Sequence, residues 1–171
     1  MKKIELLFRK LLLTLLLMTR RNANRREPPV ITKNSKILFI RLNRIGDALV
    51  TTPLLKVIKE QIGCKIYVLA SSSNYFVFEN QKLADEIIVY MKNIHGIRSL
   101  IKMINHLEFD IVVDLHDDVS STVSYLIAFS KSRYKFGLNK INAKLFTHIV
   151  NKLDSSSHHV VERVMEFGKL F

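Results

Sequence analysis

Two short stretches hold the residues whose types and spacing suit chemistry. The first is Asn43-Arg44-Ile45-Gly46-Asp47, and the second is His116-Asp117-Asp118 with Ser120 and Ser121 close behind. A carboxylate such as Asp47, set behind a glycine turn at the mouth of a site, can take a proton from a hydroxyl nucleophile. The same residue at the start of a helix serves as an N-cap, worth about 1 kcal/mol, and spacing alone favours the cap. Arg41 and Arg44 suit a phosphate or a solvated rim. For Asp117 and Asp118, capping of the next helix ranks first and contact with a polar substrate second. A metal ranks third, since one cluster without distant ligands is a poor coordination signal. His158 and His159, after three serines, read as surface polarity. Gly46 stands alone where a dinucleotide fingerprint needs three glycines, and no Gly-Lys-Ser/Thr follows as in a P-loop. No Cys/His spacing fits structural zinc.

The elements that must position these loops alternate regularly from Ser35 onward. Residues 36–42, 65–70, 86–90, 110–115 and 133–136 are short apolar runs that read as strands. Between and after them, residues 48–61, 74–81, 94–107, 120–130 and 158–170 read as helices. Pro53 suits a first helical turn with Thr52 as its cap, so the helix over 48–61 kinks or restarts there, and Gly63 ends it. Residues 142–150 fit either period. Such alternation predicts an α/β fold with a doubly wound parallel sheet covered on both faces. Ligands of such sheets bind beyond the carboxyl ends of the strands, at the switch point. If the first strand lies beside the fourth, the loops at 43–47 and 116–121 face each other.

The chain has 171 residues and is 48% hydrophobic and 25% charged, which suits one globular domain. A single cysteine, Cys64, cannot form an internal disulfide and suits a reducing compartment. The net charge is +12, and residues 1–27 carry eight basic and two acidic residues, or +6 (8 − 2). Half the excess positive charge thus sits at one end of the chain, which points to an anionic surface. The apolar run Leu11–Met18 is too short to span a bilayer, which takes about 20 residues. The small residues of a signal-peptide cleavage site are replaced by Thr19-Arg20-Arg21. As a helix, residues 1–19 place Ile4, Leu7, Phe8, Leu11, Leu15 and Met18 on one stripe, while Leu6, Leu13, Leu16 and Leu17 spill onto the other side. This amphipathic helix suits the headgroup region of a membrane, with packing on this protein or a partner as the alternative. Nucleic acid is not expected as a partner, because the segment lacks aromatics for base stacking. Residues 20–34, interrupted by Pro28-Pro29, read as a linker to the domain over residues 35–171.

The stretch KILFIRLNRIGDALVTTPLLKVIKEQIGCKIYVLA resembles the opening of the lipopolysaccharide heptosyltransferases, glycosyltransferase family 9. Their signature is an apolar strand, then R-x-x-x-[IL]-G-D, apolar residues, and T-T-P before a helix. Arg41, Ile45, Gly46, Asp47, Thr51, Thr52 and Pro53 stand in those places. DIVVDLH resembles a later strand end of the family, with His116 where glutamine is usual. YKFGL is similar to its R-I-G-F element, with Lys135 for arginine, and HVVERV to its H-x-V-E-R element, with His159, Glu162 and Arg163. The resemblance implies the Rossmann-like N-terminal half of a GT-B fold. It implies inverting transfer of a sugar from a nucleotide sugar, usually ADP-heptose, to a lipopolysaccharide or other lipid-linked saccharide. Asp47 is then the general base, and Arg44, Gly46, Thr51, His116 and Asp117 bind the acceptor, with no metal and no cofactor of the chain's own. It further implies that the donor-binding C-terminal domain is absent. This chain would then be half of a split or truncated enzyme, working with a separate donor domain, or an inactive membrane-associated binding module of the same ancestry. Either form is expected in the cytoplasm, peripheral on the inner membrane.

Overall fold

The computed structural model describes residues 11, 13–19, 23–24, 27–91 and 94–171. After a helical segment α1 (residues 13–19), the order is β1 (Lys36–Arg41), α2 (Ile45–Leu49), α3 (Thr52–Ile62), β2 (Lys65–Ser71), α4 (Tyr75–Gln81) and β3 (Glu86–Tyr90). The second half runs α5 (Ile94–Leu107), β4 (Ile111–Asp114), α6 (Ser121–Phe129), β5 (Tyr134–Leu138), a 3-10 turn (Ala143–Leu145), β6 (His148–Val150), α7 (Val160–Met165) and a final 3-10 turn (Glu166–Leu170). The six strands form one sheet in the order β3-β2-β1-β4-β5-β6. Every pairing is parallel, which is the doubly wound arrangement the alternation predicts. The strands are near-continuous apolar runs because both faces are covered.

Strand periodicity divides the core in two. Ile37 and Phe39 of β1 meet α2, α3, α4 and the final 3-10 turn through Ala48, Leu54, Leu55, Phe78 and Phe167. Leu38 and Ile40 join Leu100 and Ile104 of α5 and Leu126 and Ile127 of α6 on the other face. Leu13, Leu16 and Leu17 of α1 belong to this second cluster. These three of the leucines that spilled off the apolar stripe are therefore a core face, and the alternative of packing on this protein holds for them. The described members of the stripe stay outside: Leu11 is 57%, Leu15 51% and Met18 75% exposed. Ile4, Leu6, Leu7 and Phe8 lie outside the described residues, as do Lys2, Lys3, Arg9, Lys10, Arg20, Arg21, Arg25 and Arg26. The following stretch is tied to the far edge of the sheet. Ala23 N–H donates to Lys144 O at 2.9 Å, and His148 Nε2 meets Glu27 O at 2.7 Å.

The helix over 48–61 restarts at Pro53 as expected, while other boundaries differ; Pro53 has no N–H to donate to Leu49. The Thr52 hydroxyl takes that carbonyl instead at 2.8 Å, and Thr51, not Thr52, is the N-cap of α3. Gly63 ends α3 in the left-handed region, with φ of 69°. Residues 142–150 resolve into the 3-10 turn and the edge strand β6. The helix expected over 158–170 shrinks to α7 and a 3-10 turn. His159 is not mere surface polarity. Val161 N–H donates to its Nδ1 at 3.4 Å and Glu162 accepts from its backbone N–H at 2.9 Å, making a capping box.

Candidate active site

Because β4 pairs with β1 while β2 lies on the other side, the chain leaves these two strands in opposite directions and a crevice opens above them. A cleft of about 590 Å³ lies there, lined by Arg41, Asn43, Arg44 and Asp47 on one wall and Asp117 and Asp118 on the other.

Arg41 forms the floor. Period two carries it to the same face as Phe39, where α2 begins. Its side chain is 2% exposed, and its guanidinium spans the switch point. Nε donates to Asp47 O at 2.9 Å, and an NH2 group donates to Leu115 O at the end of β4. Burial pulls its pKa below the ordinary value, against the opposing pull of Asp47, Asp117 and Asp114. Arginine nonetheless stays charged, so the floor is cationic.

Asp47 is not a cap. The N-cap of α2 is Arg44, with no side-chain hydrogen bond, and Asp47 sits in the first turn. The Asp47 side chain is 36% exposed and its Oδ1 stands 4.0 Å from the Arg41 guanidinium. Among the described residues its carboxylate accepts no hydrogen bond. Its backbone carbonyl also holds the Thr51 hydroxyl at 2.9 Å.

The opposite wall rests on a buried network. His116 Nε2 accepts from Leu42 N–H at 3.1 Å, so Nδ1 carries the ring proton and donates to Asp114 at 2.8 Å. Lys140 Nζ donates to Asp114 Oδ2 at 3.1 Å and to His116 O at 2.6 Å. Asp114 is wholly buried. Burial pushes its pKa up, but the His116 hydrogen bonds and the Lys140 charge outweigh that and hold it below the usual carboxylate range. Asp117 accepts from Arg163 of α7 at 2.9 Å. Neither Asp117 nor Asp118 caps α6; Ser120 does, accepting from Val123 N–H.

Arg44, Asp47 and Asp117 thus meet at the cleft. Gly46 lies in the first turn of α2 beside it, without the positive φ that only glycine adopts freely, so the turn does not demand glycine. Thr51 is 0% and His116 2% exposed, and both spend their polar atoms inside the protein. Three residues organise the site, of which the sequence motifs name only Arg163, without a role. Lys140 and Arg163 brace the β4 loop. Buried Asn74 donates to Arg41 O at 3.0 Å and Asn43 O at 2.7 Å, tying the loops after β1 and β2. A polar residue opening a helix at the switch point was the available signal for Asn74; nothing local marked Lys140. Among the described residues, no group of three or more His, Cys, Asp or Glu is placed to hold a metal ion.

The fold and cleft define a doubly wound, Rossmann-like domain with its ligand crevice at the β1–β4 switch point. The chain is similar in structure to a family 9 glycosyl transferase from Veillonella parvula, with a TM-score of 0.73, 22% identity, 84% of this chain and 43% of that one covered. It is also similar to E. coli heptosyltransferase WaaC with ADP-2-deoxy-2-fluoro heptose (TM-score 0.65, 15% identity, 80% and 48% covered). A third such structure is E. coli ADP-heptose lps heptosyltransferase II (TM-score 0.65, 20% identity, 76% and 39% covered). The chain spans less than half the length of each. No family model and no curated protein matches it. At the level of the fold, the likeness implied by the sequence motifs is met.

Proposed function

We propose that the chain is the acceptor-side half of an inverting glycosyltransferase of the heptosyltransferase kind, with Asp47 as general base. The observation that carries this is the state of Asp47: a half-open carboxylate at the switch-point cleft, facing a buried guanidinium without hydrogen-bonding to it. Both oxygens are open to a substrate hydroxyl. In the reaction, the acceptor oxygen bonds to the anomeric carbon of a nucleotide sugar as the bond to the diphosphate breaks. Asp47 takes the hydroxyl proton, and attack opposite the leaving group inverts the centre. The donor, of the ADP-heptose kind, is held by a second domain, on the same polypeptide or a separate one. Holding both substrates at once supplies the reaction geometry. The acceptor is a lipid-linked saccharide at the cytoplasmic face of the inner membrane. The free stripe Leu11, Leu15 and Met18, together with the basic residues at 1–27, supports docking to an anionic bilayer surface. No helix among the described residues is long and apolar enough to cross a membrane.

Transfer from ADP-heptose to a lipid-linked acceptor, measured with the donor domain supplied, tests the base. Asp47→Asn should lower the rate by about 10²–10⁴-fold with the fold intact; normal turnover rejects the assignment. For docking, deleting residues 1–27 would also strip Leu13, Leu16 and Leu17 from the core. The cleaner variant is the triple Leu11→Gln, Leu15→Gln, Met18→Gln. It should lose salt-sensitive binding to phosphatidylglycerol vesicles, and undiminished binding rejects the membrane reading.

A further inference from the structure

A second cavity of about 310 Å³ adjoins the cleft and shares Leu42, Asn43 and Ser73 with it. Its walls come from the loops after β2 and β4, the end of β3 and the start of α6. They present Ser71, Ser72, Ser73, Tyr90, Ser120 and Thr122. The volume lies at the lower end for ligand pockets, roughly 300–1,000 Å³.

Its chemistry is unlike that of the cleft. The cleft carries two arginines and three aspartates, whereas among the described residues no Lys, Arg, Asp or Glu lines the second cavity. Both ring nitrogens of His116 are engaged inside the protein, Nε2 with Leu42 N–H and Nδ1 with Asp114. Ser71 is spent on Ser73 and Asn74. The hydroxyls of Ser72 and Thr122 make no hydrogen bond among the described residues. Each offers both a donor and an acceptor to a ligand.

A carboxylate or phosphate lodged there would meet no cation among the described residues that line it. A polyol matches the lining, since each of its hydroxyls also both donates and accepts. Resting on the glycosyltransferase reading, we infer that this cavity binds a neutral, uncharged pyranose unit of the acceptor. The shared wall at Asn43 and Ser73 would then pass the next hydroxyl to Asp47.

The test is an NMR titration of the chain with methyl glucoside, methyl galactoside and methyl mannoside, against methyl glucuronide and inorganic phosphate. At least one neutral glycoside should shift the amides of residues 71–73 and 120–122 at millimolar concentration. Ser72→Ala and Thr122→Val, which break no internal hydrogen bond, should each weaken that binding roughly five-fold, the effect of one lost neutral hydrogen bond. The inference is overturned by any of three results: no such shifts with any neutral glycoside, equal or tighter binding of the glucuronide or phosphate at these amides, or unchanged affinity in both variants. The titration involves neither donor nor turnover. Transfer persisting in Asp47→Asn would reject the base and leave this site standing, and loss of the shifts would do the reverse.

Discussion

Replacing Lys140 by methionine isolates the charge that braces the second wall of the cleft. The Lys140 side chain is 6% exposed and Asp114 is 0% exposed, with Nζ 3.1 Å from Oδ2. Methionine keeps most of the buried stem, so the variant removes charge more than volume. Asp114 would be left as a buried anion answered by the His116 hydrogen bonds and the field of the Arg41 guanidinium. Breaking such a pair on one side costs about 3–5 kcal/mol, a large part of the roughly 5–15 kcal/mol that holds a domain together. At an m-value near 2 kcal/mol per M, the urea midpoint should fall by roughly 2 M. The double variant Lys140→Met with Asp114→Asn should recover much of that loss, because the anion has gone while the new amide oxygen still accepts from His116. Proton linkage provides a second readout. The folded Asp114 carboxyl lies below its unfolded value of about 3.9, so its contribution is present above that pH and lost as pH falls through the folded value. The parent should therefore lose stability below about pH 4 more steeply than the double variant. A Lys140→Met cost under about 1 kcal/mol, or a double variant no better than the single, would refute the reasoning.

A Cβ at Gly137 in β5 would overlap the Phe146 ring, so Gly137→Ala should cost about 1–3 kcal/mol in urea unfolding. One at Gly46 meets nothing within 4 Å, so Gly46→Ala should keep or raise stability by about 0.4–1 kcal/mol. If an acceptor packs against the α2 backbone, that same variant should bind it more weakly in a calorimetric titration. On α1, Leu16 is 8% and Leu15 51% exposed. Leu16→Ala should cost about 2–5 kcal/mol by thermal or urea unfolding, while Leu15→Ala stays within about 0.5 kcal/mol; equal costs would contradict the two-faced reading.

Much of this architecture was legible because a two-sided parallel sheet writes itself as apolar runs. The runs at 36–42 and 110–115 gave two central strands, and their adjacency put Asp47 and Asp117 across one crevice. What stayed hidden depended on partners distant in sequence. Lys140 lies in a loop of no clear period, yet its ammonium reaches back 26 residues to Asp114. The family resemblance gave His116 to acceptor binding; only the Leu42 N–H shows that its Nε2 is taken. Which face of α1 meets the protein was not legible for a different reason. Its apolar residues outnumber one face, and periodicity cannot say which of two apolar faces meets the protein.

The three cations around the cleft, Arg41, Lys140 and Arg163, separate binding roles from chemical ones. Lys140 and Arg163 hydrogen-bond to their carboxylates, Asp114 and Asp117, at 3.1 and 2.9 Å. Those two anions are committed to holding the β4 loop. Arg41 spends its donors on the carbonyls of Asp47 and Leu115, and the Asp47 carboxylate stands 4.0 Å away. The guanidinium is thus anchored by backbone, with Asp117 and Asp114 also contributing to its field. It follows that the Asp47 side chain is dispensable to the fold. Asp47→Asn should change unfolding free energy by no more than about 0.5 kcal/mol, the range of an exposed substitution. Asp117→Asn weakens an ion pair 16% and 31% exposed, and should cost more. If Asp47→Asn instead costs about 3 kcal/mol, as breaking a buried pair does, Asp47 is the counter-ion that permits Arg41 to be buried. A fall in transfer by that variant would then no longer identify a base.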